Sequence, residues 1–216
     1  MEGLIEKNIY DWTEEDFREV RKTRLHHACT LAGQGFYFYP MQEGTTHGKT
    51  GWNLDATADP EKVRQWVDGG EQLVCVAKRG KCAILDIDNL SACKALGLEE
   101  SWLEGMYKVQ SPSGDGHLHI YFPWDTNLDA LPERATVNVP DTEGRLVAEM
   151  KLNNATVAAP GSLRLDAEGK KREGAYLPLS EQAPEPCRHT AEIMAWLQAH
   201  RKESTPTYQG GGGTRE

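Results

Sequence analysis

In the run CAILDID, Cys82 to Asp88, an extended backbone places side chains two apart on the same face. Leu85 and Ile87 then share one side, and Asp86 and Asp88 share the other. Such a strand has an apolar face for a core and a face that carries two carboxylates. Two like charges about 4 Å apart repel by about 4 kcal/mol at an effective dielectric of about 20. A close pair of this kind takes up a cation or keeps a proton. Taken alone, Asp-x-Asp is read equally well as two solvated acids at a strand end.

Working outward, LVCVA (Leu73 to Ala77) precedes this run across Lys78-Arg79-Gly80, and the spacing predicts a hairpin between the two. Downstream, RLVAEMKL (Arg145 to Leu152) alternates again: Leu146, Ala148, Met150 and Leu152 on one face, Val147, Glu149 and Lys151 on the other. Laid beside the Asp86 strand, it would add Glu149 as a third carboxylate, an oxygen-rich set suited to Mg²⁺ or Mn²⁺ and not to zinc. A rim salt bridge between Glu149 and Lys151 is the plainer reading. Asn153-Asn154 then predicts a hairpin turn into ATVAAP (Ala155 to Pro160).

Between these runs, YKVQ and HLHIYF read as two strands around the turn SPSGDG, Ser111 to Gly116. His117 and His119 share one face of the second, and Leu118, Ile120 and Phe122 share the opposite one. The turn can offer backbone N–H groups and the hydroxyls of Ser111 and Ser113, next to Gly114, to an anion, with a histidine as a further donor. That makes a phosphate cradle, although an ordinary hairpin loop has the same composition.

Helical spacing runs from Thr13 to Leu31, capped by Thr13 and closed by Gly33 and Gly35. GFYFYP is a short strand ended by Pro40. Asp59 as N-cap and Pro60 at the first turn open a second helix that ends at Gly69-Gly70. A short helical segment is expected around Ser91 to Glu100, and a last helix from Thr190 to His200 with Ile193, Trp196 and Leu197 on one face. Trp66 and Trp196 read as core, and Lys170-Lys171-Arg172 as a solvated loop. TPTYQGGGGTRE at the end has the composition of a flexible linker.

No apolar stretch approaches the roughly 20 residues that cross a bilayer, and MEGLIEKNIYDW is acidic where a secretion signal is basic and then apolar. The expectation is a cytoplasmic protein without a membrane partner. Five cysteines without Cys-x-x-Cys spacing suggest reduced, mostly buried thiols, neither a disulfide framework nor a structural zinc site. The net charge of −9 argues at first sight against nucleic acid. Residues 1–16, however, carry Glu2, Glu6, Asp11, Glu14, Glu15 and Asp16 against Lys7 alone, which is 5 of the 9 excess negatives. The expectation becomes weak affinity for nucleic acid, helped by metal.

GFYFYPM, DATADPEKVRQW, AILDID, SPSGDGHLHIYF, VAEMKLNNATVAAPGS and then GAY (Gly174 to Tyr176) follow one another in this order. Together they resemble the primase-polymerase (prim-pol) family of the archaeo-eukaryotic primase superfamily, known from phage and plasmid replication proteins. The resemblance covers roughly residues 25 to 178. It implies an α/β (α+β) fold with a small mixed or antiparallel sheet flanked by helices, and template-directed nucleotidyl transfer by two divalent ions. Asp86, Asp88 and Glu149 match the metal-binding acids, and His119 matches the histidine on the incoming triphosphate. Lys151, Ser111, Ser113, Gly114 and His117 are the further nucleotide-binding candidates.

Two positions depart from the family's pattern: Glu149 stands where Asp is common, and His117 where a small residue is common. The implied partners are single-stranded DNA template and primer, NTP or dNTP, and a downstream helicase part. The implied cell is a bacterial host, if the gene is phage- or plasmid-borne. The expected division is a catalytic domain over 1–183, a C-terminal helix over 184–203 and a glycine-rich linker over 204–216. Alternatives are a non-haem iron site made of His117, His119 and Glu149, a non-catalytic DNA-binding module, and a two-metal nuclease.

Overall fold

A computed structural model describes residues 7, 9–42, 45, 47–165 and 172–202. The expected linker at 204–216, Lys170 and Lys171 of the expected basic loop, and Glu2 and Glu6 lie outside the described residues. In chain order the elements are α1 (Glu14–Gly33), β1 (Tyr37–Pro40), α2 (Pro60–Asp68), β2 (Leu73–Ala77), β3 (Cys82–Ile87), α3 (Leu90–Ala95), β4 (Tyr107–Gln110) and β5 (Leu118–Pro123). They continue with β6 (Thr136–Pro140), β7 (Leu146–Lys151), β8 (Ala155–Ala158), β9 (Leu163–Leu165), β10 (Arg172–Ala175), β11 (Leu177–Pro178) and α4 (Thr190–His200). The fold is mixed α/β, and every strand pairing is antiparallel.

Local chemistry sets the helix ends. The Thr13 hydroxyl accepts from the Asp16 N–H, and Asp16 reaches back to the Thr13 N–H, a capping box that satisfies two orphan donors. Asp59 caps α2 with Pro60 in its first turn. The helical segment expected around Ser91 to Glu100 is shorter, α3 followed by a separate 3₁₀ turn at Glu100–Leu103.

The strands form a six-stranded sheet in the order β11-β4-β5-β3-β7-β6 and a three-stranded sheet in the order β1-β2-β8, with a β9–β10 pair beside them. Two expected hairpins are thereby corrected. β2 pairs with β1 and β8, and β3 with β5 and β7, so Lys78-Arg79-Gly80 carries the chain from one sheet to the other with one bridge, Lys78 to Cys82. Asn153-Asn154 makes the same crossing in reverse, between β7 and β8. β2 is buried at every position, so it needs neighbours on both edges and cover on both faces. A hairpin partner alone does not supply these. The β4–β5 hairpin forms as expected.

Each face of the large sheet packs its own core. Leu85, Ile87, Ile120, Phe122 and Met150 face α4, with Ile193, Trp196 and Leu197 among the side chains they meet. Ile84, Tyr107, Val109 and Tyr121 face α1, α2 and the three-stranded sheet. Burying each such side chain contributes about 1.5–3 kcal/mol. The alternation expected for β7 breaks at its start. Val147 is buried and Leu146 is 43% exposed, because the register with β6 shifts between Val139 and Pro140. Cys75, Cys82 and Cys93 are buried, Cys29 and Cys187 partly so, and all are free thiols. Among the described residues no helix is long and apolar enough to cross a membrane.

One corner ties the two halves together. Gly161 has a left-handed φ of 72°, and its carbonyl accepts from the buried Arg24 of α1 at 2.9 Å. The Ser162 hydroxyl donates to the Leu73 carbonyl at 2.9 Å, and its own carbonyl accepts from the Tyr176 N–H at 2.9 Å. The APGS stretch is thus the joint between α1, β2 and Tyr176, which lies between β10 and β11.

Candidate active site

Strand period and sheet register together build the site. Asp86 of β3 lies directly opposite His119 of β5 on one side and Glu149 of β7 on the other. Ile84 belongs to the core between the sheets, so Asp86 and Asp88, two and four residues on, project toward the same side. They open into a cleft of about 380 Å³ where the large sheet meets β8. Asp88 lies just past the end of β3, and its N–H donates to the Val147 carbonyl at 3.0 Å. That carbonyl belongs to the register shift in β7, so the irregularity that spoils the alternation also holds Asp88 in place.

The charges in this cleft are close and only partly screened. Burial, then the neighbouring Asp86 and Glu149, raises the Asp88 carboxyl above its ordinary pKa. The Lys151 ammonium contacts Glu149 and lies 3.5 Å from Asp86, with side-chain exposures of 12% for the lysine and 19% for each acid. Lys151 therefore acts as a resident cation between two of the three acids. The donor set fits a hard divalent ion: three carboxylates, a cation already seated between two of them, and a third acid whose charge is held at a cost. Asp86, Asp88 and Glu149 offer the carboxylate oxygens that a hard divalent ion requires.

His119 is buried, with Nε2 3.5 Å from Asp86. Burial lowers its pKa against the opposing pull of the Asp86 carboxylate, so the ring is neutral at neutral pH. The Tyr176 ring stacks on it at 5.2 Å between centroids with 25° between planes. His117 stands one residue before β5 and also lines the cleft.

The Ser/Gly turn is closed more tightly on itself than a phosphate cradle requires. The Gly114 N–H donates to the Ser111 carbonyl, the His117 N–H to the Gly114 carbonyl, and the Ser113 N–H to the Ser111 hydroxyl. Gly114 is not among the residues that line the cleft. Arg164 of β9 donates through its guanidinium to the Ser113 hydroxyl at 2.7 Å, and both side chains line the cleft. Of the expected donors, the N–H groups of Ser113, Gly114 and His117 are thus engaged within the turn, whereas Ser111, Ser113, His117 and His119 line the cleft.

Arg164, His47 and Tyr176 are lining residues that the reading of the sequence did not single out. Tyr176 had a signal, the GAY stretch. Arg164 and His47 had none, since a lone basic residue in a polar loop is normally solvated. His117, His119 and Glu149 all line this cleft, but neither they nor the three acids bring three ligating atoms within 4.8 Å of one another. Among the described residues the metal-ligating trio with all atoms within 4.8 Å is His26 and His27 of α1 with Glu181, which follows β11. The three cleft acids are more widely spread than that, with Lys151 between two of them.

Comparison with protein families matches residues 28–201 to the model described as Bifunctional DNA primase/polymerase, N-terminal (Prim-Pol). Comparison with curated proteins finds no match.

Proposed function

This chain belongs to the bifunctional DNA primase/polymerase family, and we propose that it catalyses template-directed nucleotidyl transfer with Asp86, Asp88 and Glu149 as its metal-holding acids. The observation that carries the proposal is the cross-strand row His119–Asp86–Glu149, which opens into a single cleft. When bound there, Mg²⁺ or Mn²⁺ supplies charge for activating a 3′-hydroxyl and for stabilising leaving pyrophosphate. The three carboxylates hold that charge at one wall of the cleft, and the register of β3 against β7 keeps two of them opposed without any loop having to close.

His119 offers a neutral imidazole beside Asp86, its plane set by the Tyr176 ring. Ser113 and Arg164 present a hydroxyl and a guanidinium to the triphosphate. Lys151 neutralises Asp86 and Glu149 and, turned away from them, reaches phosphate oxygens on the same side of the sheet. Ser111 and His117 frame the rim. The partners on this reading are a single-stranded DNA template with a primer, and NTP or dNTP.

Primed and unprimed single-stranded DNA incubated with labelled nucleotides, with and without Mn²⁺, gives the test. Extended product that needs the metal and disappears in Asp86→Asn supports the proposal. DNA binding with no incorporation under any divalent ion overturns it in favour of a non-catalytic module. Loss of template in place of extension reveals a nuclease.

A further inference from the structure

On α1, away from the acidic cleft, His26 and His27 and the later residue Glu181 hold three ligating atoms within 4.8 Å of one another. Glu181 lies in the segment that leads from β11 to α4. His27 is 4% exposed, and its Nδ1 sits 2.9 Å from the Tyr107 hydroxyl. Its Nε2 points outward and lies 3.5 Å from a Glu181 carboxylate oxygen. Two ligands of one tetrahedral zinc with bonds of about 2.0–2.1 Å stand about 3.3 Å apart. The His27 and Glu181 atoms therefore already have that separation. His26 is exposed, with its ring 5.0 Å from that of His27, so a change of side-chain torsion closes the third bond without moving α1.

We propose that His26, His27 and Glu181 form a second metal site, selective for a zinc-class transition ion and separate from the acidic cleft. Two imidazole nitrogens favour such an ion over Mg²⁺, which demands oxygen ligands. The Tyr107 hydroxyl acts as the outer partner of the His27 ring, accepting from Nδ1–H and leaving the Nε2 lone pair for the metal. The bound ion would join α1 to the segment that enters α4, a connection made among the described residues by the 3.5 Å His27–Glu181 contact. The fourth ligand is water on the exposed side.

The test removes the competing acids first. Chelator-stripped protein carrying Asp86→Asn and Asp88→Asn is titrated with Zn²⁺ by calorimetry and with Co²⁺ by visible absorption. The expected result is one tight equivalent, an intense Co²⁺ spectrum of low-coordinate type, no competition from millimolar Mg²⁺, and a higher melting temperature with Zn²⁺. His26→Ala and Glu181→Gln change exposed side chains, leave the fold intact by circular dichroism, and each weaken Zn²⁺ binding at least about tenfold. No Zn²⁺ binding in the acid-neutralised protein overturns the proposal. So does unchanged affinity in His26→Ala and Glu181→Gln, which would place the ion on other ligands. Nucleotide incorporation does not enter either readout, so this site stands or falls independently of the function proposed for the cleft.

Discussion

Asp86 and Glu149 are direct cross-strand partners in the β3–β7 ladder, and the Lys151 ammonium contacts one and lies 3.5 Å from the other. Two carboxylates held together by backbone register cannot relax apart. The sheet register thus sets these two acids side by side, with Lys151 offsetting part of their charge.

Removing either acid should therefore cost activity and not folding. Asp86→Asn and Glu149→Gln are expected to lower nucleotide incorporation by about a thousandfold. Metal-assisted charge stabilisation supplies several kcal/mol, and each tenfold in rate is about 1.4 kcal/mol. Primer-extension rates at saturating Mn²⁺, beside an unchanged circular dichroism spectrum, check this. A loss smaller than tenfold removes the residue from the metal set.

Lys151 makes a prediction of opposite signs. Lys151→Met leaves Asp86 and Glu149 without their cation, so the chelator-treated protein should lose about 1–3 kcal/mol of stability. The same change removes a competitor for the acids and should tighten Mn²⁺ binding. Denaturation in EDTA and a Mn²⁺ titration are read side by side, and a stability loss accompanied by weaker Mn²⁺ binding would show that Lys151 does not compete with the metal.

Arg164 should matter for nucleotide and not for metal. Arg164→Ala is expected to raise the nucleotide KM about tenfold, the loss of roughly one charge-assisted hydrogen bond, while leaving the Mn²⁺ dependence unchanged. Arg164→Lys should recover part of the loss, since it keeps the charge but not the fork. An unaltered KM in Arg164→Ala restricts the guanidinium to supporting Ser113.

Gly161 tests the joint between the halves. A Cβ there would lie 2.5 Å from the Arg24 backbone nitrogen, at a φ of 72° that side chains rarely adopt. Gly161→Ala combines backbone strain with overpacking against α1, and a loss of at least about 2 kcal/mol is expected. The midpoint of guanidinium unfolding measures it, and an unshifted midpoint would mean that α1 moves freely off this corner.

Acid should weaken the fold through His27. Its folded pKa of about 4 lies below the ordinary 6.5, so between these values the unfolded chain binds a proton that the folded chain does not. Stability attributable to this ring is fully retained above pH 6.5 and lost as pH falls, at about 1.4 kcal/mol per unit, to about 3 kcal/mol at pH 4. In EDTA, wild type compared with His27→Gln should show that difference in slope. Parallel pH profiles would exclude His27 as the source.

Much of this protein is written locally. Strand period two put Asp86 with Asp88, and Glu149 with Lys151, on common faces, and capping chemistry at Thr13 and Asp59 marked the helix starts, because these depend on residues within one turn or one pleat. The order of the prim-pol stretches pointed to the family. Strand neighbours were another matter. Turn residues at 78–80 and 153–154 suggested two hairpins, yet both loops pass between sheets, because the fully buried β2 must be covered on both faces and paired on both edges. A turn reports the bend of its own few residues and nothing about partners far along the chain. Only the folded register set Asp86 opposite Glu149, stacked Tyr176 on His119, and brought Arg164 from β9 to Ser113. Side-chain chemistry is carried by the sequence, whereas the ångström-scale distances that turn it into a site come from the long-range packing of two sheets against each other.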